Sequence, residues 1–261
     1  MKDSNSNNQG VGKASAGAES SGKASWKSQL KGCLARGKEA EEAERIAKRG
    51  GWIPKNVAVG SFLSFGRYPQ KSEERDDLIE WQVLKVSEGV ALVVSRFVLD
   101  WRCFHNGEGR ATWKTCSLRR WLNGDFCKRC FKPMDLTRIV TSDVDKSWFD
   151  WYTLDGGNAT RDRLFLLSRA EADNLFASAG ERRAKATQYA ISHGARVPES
   201  KDDDDYGMTG WWLRSGGASR DGRGDNGSVA WVVNSGFVDK YGVLGTTLQG
   251  VRPAMRLKLE V

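Results

Sequence analysis

Two blocks of sequence decide the fold of this chain: Gly210-Trp211-Trp212-Leu213-Arg214-Ser215 and Gly250-Val251-Arg252-Pro253-Ala254-Met255-Arg256-Leu257. Both are apolar, whereas the segment between them is punctuated by glycine and consists mostly of small or polar residues. Short alternating runs bounded by turn residues are typical of β-strands with one face in water. The two blocks are therefore predicted to form a framework, and the segment between them to be displayed at the surface.

A β-hairpin is predicted within the displayed segment. Residues 228–233 and 237–241 are rich in β-forming residues, and Asn234-Ser235-Gly236 lies between them. These residue types tolerate the positive φ values that a tight turn requires. The outward side chains would include Trp231, Phe237, Asp239, Tyr241, Arg220 and Arg223. Two interpretations stay open: the aromatic residues form a contact surface beside polar groups, or they complete a core.

Several short motifs occur in a fixed order along the chain. They are Phe65-Gly66-Arg67-Tyr68-Pro69-Gln70, Glu80-Trp81-Gln82-Val83-Leu84, Thr112-Trp113, Ser117-Leu118-Arg119-Arg120-Trp121-Leu122-Asn123, Phe165-Leu166-Leu167-Ser168, Trp211-Trp212-Leu213-Arg214-Ser215 and Gly250-Val251-Arg252-Pro253-Ala254. Over about residues 60–261 this order resembles an uncharacterised bacterial domain family, the domain of unknown function 6273. That family is similar to the C-type-lectin-like, formylglycine-enzyme-type fold, and some members are variable proteins of diversity-generating retroelements.

The resemblance implies an α+β, C-type-lectin-like domain with antiparallel sheets and two or more short helices. In such variable proteins the segment between the two terminal motifs is diversified and contacts the ligand. Carried onto this chain, it implies a ligand-binding surface between Ser219 and Gln249. The apolar anchors would be Trp231, Phe237 and Tyr241, and the polar contacts Arg220, Arg223, Asp225, Asn226, Asn234 and Asp239.

Composition favours one main domain with an N-terminal extension. The chain has 261 residues, 39% of them hydrophobic, and 11 tryptophans, which suffices for a sizeable core. Residues 1–60 hold 11 Lys and Arg against 6 Asp and Glu, so they carry +5 of the net charge of +8. Because the main domain is nearly balanced in charge, we expect no nucleic-acid partner.

The extension divides into two parts. Residues 1–25 are rich in Ser, Gly, Ala, Asn and Lys, so they are predicted to form a disordered tail. Residues 26–56 are predicted to be a helical extension that ends near Gly50-Gly51, and residues 57–261 to be the domain. The helix could be solvated or could bind a partner.

The number of cysteines and the hydropathy of the chain indicate the cellular compartment of the protein. The 5 cysteines are an odd number in a long chain, which favours free thiols in a reducing compartment. The first thirty residues lack the apolar core of a signal peptide, and no apolar run approaches about 18 residues. We therefore expect a cytoplasmic protein without a membrane span, with export to a cell or phage surface by another route left open.

The first half of the domain is predicted to be mainly β-structure. Residues 57–65 should form a strand closed by a turn at Tyr68-Pro69. Residues 78–86 and 90–97 flank Ser87-Glu88-Gly89, which indicates a hairpin. Residues 100–113 are loop-like.

Helix starts are marked by capping residues. Ser117 is predicted to cap a helix in which Leu118, Trp121, Leu122 and Phe126 share one face.

A second start is Ser168, which with Glu171 makes a capping box for a helix whose Ala172, Leu175 and Phe176 face inward. Residues 187–192 should form one more short helix.

Two further segments have a possible surface role. The aromatic cluster Trp148, Phe149, Trp151 and Tyr152 would either stack on a ligand or pack under a long loop. Residues 198–206, with four consecutive aspartates, are predicted to be a mobile surface loop because like charges repel. Their spacing is not that of a calcium site.

The thiols are the main candidates for other chemistry. Cys103, Cys116, Cys127 and Cys130 could supply four thiolates to zinc, although only Cys127 and Cys130 have ligand spacing. Cys103 and His105 could be a nucleophile and a base, but no third group to orient the base is identifiable. The formylglycine-generating enzymes of this fold use cysteines near the C-terminal part of the domain, and this chain has none after Cys130.

The sequence thus predicts a non-enzymatic binding module without a cofactor, whose partner is an unidentified protein or surface ligand. One alternative is a metal- or thiol-dependent enzyme built on the four cysteines and His105. Another is a phage-associated or structural interaction protein that docks through its N-terminal extension. Oligomeric state is left open.

Overall fold

Along the described residues, five strands come first, and short helices and further strands follow them. The strands are β1 (Gly51–Trp52), β2 (Phe62–Ser72), β3 (Arg75–Ser87), β4 (Val90–Ser95), β5 (Asp100–Cys103), β6 (Ile139–Val140), β7 (Ser142–Val144), β8 (Thr160–Asp162), β9 (Leu164–Phe165), β10 (Ala184–Lys185), β11 (Met208–Thr209), β12 (Trp211–Gly216), β13 (Ser228–Val232), β14 (Val238–Leu244), β15 (Leu248–Val251) and β16 (Ala254–Lys258). The helices are α1 (Ser117–Trp121), α2 (Cys127–Cys130), α3 (Pro133–Leu136), α4 (Arg169–Asn174), α5 (Ala179–Arg182) and α6 (Gln188–Ser192), and a π-helical turn (Leu122–Phe126) joins α1 to α2.

This computed structural model describes residues 51–54, 56–144, 159–218 and 227–259, which belong to one unit, Ala47–Val261. The predicted disordered tail, the predicted helix that ends near Gly50-Gly51 and the aromatic cluster at residues 148–152 lie outside the described residues.

Two sheets carry the fold. The seven-stranded sheet has the order β1-β2-β3-β4-β16-β6, with β9 also paired to β16, and the five-stranded sheet has the order β14-β13-β12-β15-β5. Most pairs are antiparallel, and β12 with β15 is a parallel pair. The predicted α+β class, with mostly antiparallel strands and short helices, is confirmed.

The hairpin predicted around residues 87–89 joins β3 to β4. Glu88 and Gly89 have φ values of 51° and 72°, as a two-residue turn between twisted strands requires. The turn predicted at Tyr68-Pro69 is wrong, because β2 continues through both residues and Pro69 pairs with Asp76. Two register shifts in the β2–β3 ladder let the strand bend there without ending.

The first helix begins one residue away from the predicted cap. Cys116 is the N-cap, with an extended backbone, and its Sγ accepts a hydrogen bond from the Arg119 amide at 3.4 Å. The Ser117 hydroxyl instead accepts from the Asn106 amide at 3.0 Å. Because its hydroxyl is used in this tertiary contact, Ser117 does not cap the helix, although serine is a preferred N-cap residue.

The other two helix starts are confirmed. The Ser168 hydroxyl accepts from the Glu171 amide at 3.1 Å, and the Glu171 carboxylate accepts from the Ser168 amide at 2.8 Å. Thr187 caps α6 through the Ala190 amide at 3.1 Å.

The two framework blocks are buried together. Trp211, Trp212 and Val251 have no exposed surface. The Trp211 Nε1 donates to the carbonyl of Arg182 at 3.1 Å, and Arg252 Nη1 donates to the same carbonyl at 3.0 Å. One carbonyl thus ties β12 to the turn that enters β16.

Candidate functional site

The hairpin predicted in the displayed segment is formed by β13 and β14. Trp231 lies opposite Asp239, and Val232 lies opposite Val238. Gly236 has a φ of 87°, and a Cβ atom there would lie 1.8 Å from the carbonyl oxygen of Ala179. The turn therefore requires glycine both for its backbone angle and for its close approach to α5.

Asp239 is committed to the hairpin itself. Its Oδ1 accepts hydrogen bonds from the amides of Tyr241 at 2.9 Å and Gly242 at 3.2 Å, and its Oδ2 accepts from Trp231 Nε1 at 3.2 Å. A carboxylate with these three donors shapes the strand irregularity and fixes the indole opposite it. Asp239 is thus placed to orient Trp231.

The ring of Trp231 packs on Gly210, the first residue of one framework block. A Cβ atom at Gly210 would lie 2.3 Å from Cζ3 of Trp231 and 2.8 Å from the carbonyl oxygen of Val232. The indole is half-buried, with its inner part packed on the core. The aromatic ring therefore occupies space that is free only because Gly210 has no side chain.

A cavity of about 680 Å³ opens beside Trp231, and we call it the Trp231 cavity. Its lining residues are Trp101, Gly194, Arg196, Pro198, Met208, Thr209, Gly210, Trp231, Asn234, Thr246, Thr247, Leu248 and Gln249. Two indoles and a leucine provide apolar surface, while an arginine and two amide side chains provide polar groups. This is the composition of sites that bind small ligands or single side chains.

Asn234 connects this cavity to the acidic insertion. Its Nδ2 donates to Asp205 Oδ2 at 3.0 Å, and Asp205 Oδ1 forms an ion pair with Arg183. The insertion predicted as a mobile surface loop is exposed at residues 201–204, but its last aspartate is held by these two contacts. The insertion therefore forms part of the cavity's surroundings.

The remaining predicted contact residues of the hairpin lie away from the Trp231 cavity. Phe237 is 65% exposed at the hairpin turn, and Tyr241 is half-buried with Lys240 Nζ 5.1 Å from its ring centroid. Neither residue lines the cavity. The structure thus places Trp231 and Asn234 in the lining of one cavity, hydrogen-bonds Asp239 to Trp231, and leaves Phe237 and Tyr241 outside that lining.

Four predicted contact residues, Arg220, Arg223, Asp225 and Asn226, lie outside the described residues. The two ends of their segment are described. The amide of Ala218 donates to the carbonyl of Lys240 at 2.7 Å, and the amide of Gly245 donates to the carbonyl of Gly227 at 3.0 Å. Both ends therefore lie beside β14.

Sequence reasoning missed Trp101, which also lines the cavity. Trp101 lies in β5, within a segment predicted to be loop-like, and β5 pairs with β15 so that Trp101 is opposite Gly250. The prediction was wrong because β5 is short and ends in polar residues, so only its pairing with a strand that follows much later identifies it. An isolated tryptophan gave no signal of a site.

The four cysteines have different surroundings. Cys116, Cys127 and Cys130 are buried, and Cys103 is half-buried in β5. Burial raises the pKa of the Cys116 thiol to about 12 and also raises the pKa of Cys127 and Cys130. These three thiols stay protonated at neutral pH, so they are weak nucleophiles. Across the described ranges, no group of three or more His, Cys, Asp and Glu side chains is arranged to hold a metal ion.

Comparison with known proteins gives one family match. A family model described as "Domain of unknown function (DUF6273)" matches residues 88–259, from the β3–β4 turn to just after β16. Neither the curated proteins nor the solved structures include a match to this chain. In the described part of the chain, no helix has the length and apolar character needed to span a membrane.

Proposed function

We propose that this chain, which belongs to the DUF6273 family, is a non-enzymatic binding module that holds a small ligand, or a side chain of a partner protein, in the Trp231 cavity. The observation that carries the proposal is the pairing of Trp101 and Trp231 around a cavity of about 680 Å³. Ligand sites in proteins are commonly concave, largely apolar and provided with a few polar groups that orient the ligand.

The chemistry of the lining favours a ligand with a flat or apolar face and several hydrogen-bonding groups. Indole rings offer rigid apolar area at low entropic cost. Arg196 contributes a guanidinium, and Asn234 and Gln249 contribute amides that can donate and accept. The Asp239 hydrogen bond to Trp231 supports the proposal because it fixes the ring before a ligand arrives.

The proposal includes a C-type-lectin-like fold and a displayed segment that is diversified by a retroelement, as the sequence resemblance implies. The contrast in burial supports one element of it, a segment in which some positions tolerate change. Trp211 and Trp212 are fully buried, whereas residues 244 and 246–248 between the framework blocks are exposed and Phe237 is 65% exposed. Changes confined to such exposed positions usually alter stability little, so they can alter recognition.

A non-enzymatic role is supported by the state of three of the four candidate thiols. A thiol-dependent enzyme needs a thiolate, and burial raises the pKa of Cys116, Cys127 and Cys130. The hairpin carboxylate nearest the cavity wall, Asp239, is occupied by three hydrogen bonds. Both features suit a rigid surface better than a reactive one.

Ligand-observed NMR with a panel of mono- and disaccharides and aromatic amino-acid amides tests this proposal. The wild-type protein should bind members of the panel, and Trp231→Ala should weaken that binding roughly tenfold or more, as expected for an aromatic anchor. Thermal melting of the variant is the control for folding. A drop in Tm as large as that of a core deletion would mean that Trp231 serves packing rather than recognition.

Two matched leucines locate the site. Leu248 lines the Trp231 cavity and is 53% exposed, whereas Leu244 is 51% exposed and lies outside it. Leu248→Asp should weaken binding and Leu244→Asp should leave it unchanged. Equal effects of the two substitutions would contradict the proposed site.

Diversification has a separate test in the surrounding DNA. A reverse transcriptase gene and a near-copy of the coding segment for about residues 210–255, differing mainly at adenines, are expected nearby. Neighbouring DNA that contains neither would remove this part of the proposal and leave the cavity untouched.

A further inference from the structure

A second cavity, of about 410 Å³, is also lined in part by Trp101. It is lined by Asp100, Trp101, Arg102, Cys103, Asn106, Ser117, Leu118, Trp121, His193 and Leu248. Trp101 and Leu248 also line the Trp231 cavity, so the two spaces share a wall. We call the second space the Arg102 cavity.

Arg102 is held from two sides. Its guanidinium carbon lies 4.0 Å from the ring centroid of Trp121, and its Nε donates to Asp100 Oδ2 at 3.1 Å. Stacking on an aromatic face and a charge-assisted hydrogen bond together fix the plane of a guanidinium. Arg102 is therefore oriented before any ligand binds.

Asp100 is itself fixed, which makes the orientation of Arg102 rigid. Its Oδ2 accepts from the Tyr68 hydroxyl at 2.6 Å, and its Oδ1 accepts from the Trp101 amide at 2.7 Å. The carboxylate is 1% exposed. Burial and the neighbouring carboxylate raise the pKa of Tyr68, so the hydroxyl remains a donor.

The other edge of the guanidinium is available. Within the described residues, Nη1 and Nη2 of Arg102 donate no hydrogen bond, and the side chain is 41% exposed. An arginine anchored through Nε presents two parallel N–H groups whose spacing matches the two oxygens of a carboxylate.

We propose that the Arg102 cavity is a carboxylate-binding subsite, in which Nη1 and Nη2 of Arg102 bind the two oxygens of the anion and Trp121 and Leu248 contact its apolar part. This subsite extends the proposed function. The identity of its natural ligand rests on that proposed function. Trp101 and Leu248 line both cavities, so a ligand that contacts these two residues and carries a carboxylate is the kind of ligand to which the subsite would apply.

Charge favours a carboxylate over a phosphate. The charged side chains that line the cavity are Arg102 and Asp100, and their ion pair leaves no excess positive charge. His193 also lines it, with Nδ1 engaged by the Tyr189 carbonyl at 2.8 Å. Phosphate sites use several cations or backbone amides to offset nearly two charges, so a singly charged planar anion fits better.

Titration of the full chain with benzoate, followed by the ¹H–¹⁵N signal of the Arg102 Nε–H group, tests the subsite. We expect saturable binding in the millimolar range, on the order of that for one charged contact, and no binding of the neutral analogue benzamide. Arg102→Lys keeps the charge but loses the paired Nη1 and Nη2 donors, so it should weaken benzoate binding roughly fivefold to tenfold.

Arg96 provides a matched control. It is also stacked on aromatic rings, with its guanidinium carbon 4.8 Å from the Phe62 centroid, and it is also paired with a carboxylate, Glu80, but it does not line this cavity. Arg96→Gln should leave benzoate binding unchanged, while Arg102→Gln should abolish it. Because Arg102→Gln removes the ion-pair partner of the buried Asp100 carboxylate, its Tm should fall, so binding is compared at a temperature at which both variants are folded. Equal effects of these two substitutions, or no effect of Arg102→Gln, would overturn the subsite.

Two further measurements separate the possible outcomes. Inorganic phosphate that binds more tightly than benzoate and competes with it would show a general anion site and overturn the carboxylate assignment. Trp231→Ala should leave benzoate binding intact. Benzoate binding at Arg102 with no panel ligand in the Trp231 cavity would keep the subsite and contradict the proposed function, whereas the reverse result would contradict the subsite alone.

Discussion

The framework strand β12 and the hairpin β13–β14 use the same residue type in opposite ways. Trp212 of the framework donates its Nε1 hydrogen bond to a backbone carbonyl of a distant strand, that of Arg102, at 2.8 Å. Trp231 of the hairpin donates instead to a side chain on the paired strand, Asp239, at 3.2 Å. The framework tryptophans therefore join separate parts of the domain, whereas the hairpin tryptophan is satisfied locally.

This difference decides which part can change without unfolding the domain. A residue whose partners come from several distant elements cannot be replaced without leaving buried polar groups unpaired. Replacing a residue breaks far fewer contacts when its partner lies on the neighbouring strand and its outer edge borders a cavity. The framework should thus be sensitive to substitution and the outer face of the hairpin tolerant.

Arg252 should show the largest effect. It is 1% exposed, and its guanidinium donates to the Ser95 carbonyl at 2.8 Å, to the Arg182 carbonyl and to the Gln82 side chain. Complete burial lowers its pKa to about 9, so the group stays charged at neutral pH. Arg252→Ala should lower the free energy of unfolding by about 3–5 kcal/mol, because it leaves a void and unpaired acceptors.

Urea unfolding of the purified variant measures this loss. Arg252→Lys, which keeps the charge and part of the volume, is the control and should lose less. A loss below about 1 kcal/mol in Arg252→Ala, the size of an ordinary surface substitution, would show that the framework does not depend on this side chain and would remove the contrast with the hairpin.

Gly210 should show an intermediate effect, because it lies where the two regions meet. In Gly210→Ala the new methyl group would overlap the ring of Trp231, whose Cζ3 lies 2.3 Å from the Cβ position. Overpacking of this kind costs about 1–3 kcal/mol. The displaced indole should also weaken binding of any ligand in the Trp231 cavity, which NMR titration would detect.

Gly216, the last residue of β12, is the matched control for Gly210, which directly precedes that strand. A Cβ atom there would have no neighbour within 4 Å, and neither glycine has a positive φ. Gly216→Ala should therefore change stability by no more than about 0.5 kcal/mol. Equal stability of the two variants would mean that Trp231 moves freely and is not seated by the framework.

Phe237 should show the smallest effect on folding. It is 65% exposed at the hairpin turn, so Phe237→Ser should alter the free energy of unfolding by no more than about 0.5 kcal/mol. Because Phe237 does not line the Trp231 cavity, small ligands should bind the variant as they bind the wild type. A destabilisation above about 2 kcal/mol would place this turn with the framework rather than with the tolerant surface.

Local signals predicted much of this fold correctly. The Asn234-Ser235-Gly236 turn, the Ser87-Glu88-Gly89 turn and the Ser168–Glu171 capping box depend on neighbouring residues only, and all three formed as predicted. Large apolar side chains in consecutive positions also predicted the buried framework, because Trp211 and Trp212 have too much apolar surface to leave in water.

Predictions failed where a distant contact outweighed a local preference. Ser117 has the side chain of a good cap, but its hydroxyl accepts from Asn106, so Cys116 caps the helix. The residue type therefore gave the chemistry correctly, and a tertiary contact chose the partner.

The sequence by itself determined the two hairpin turns, the two later helix starts and the buried framework, since each follows from backbone preference or apolar area within a few residues. Only the tertiary structure decided that Trp101 of β5 and Trp231 of β13 line the same cavity, and that Arg102 is anchored by Asp100 and Trp121. The physical reason is that strand pairing joins residues far apart in sequence: β15 places residues 248–251 beside residues 100–103, and no local property of either segment specifies the other.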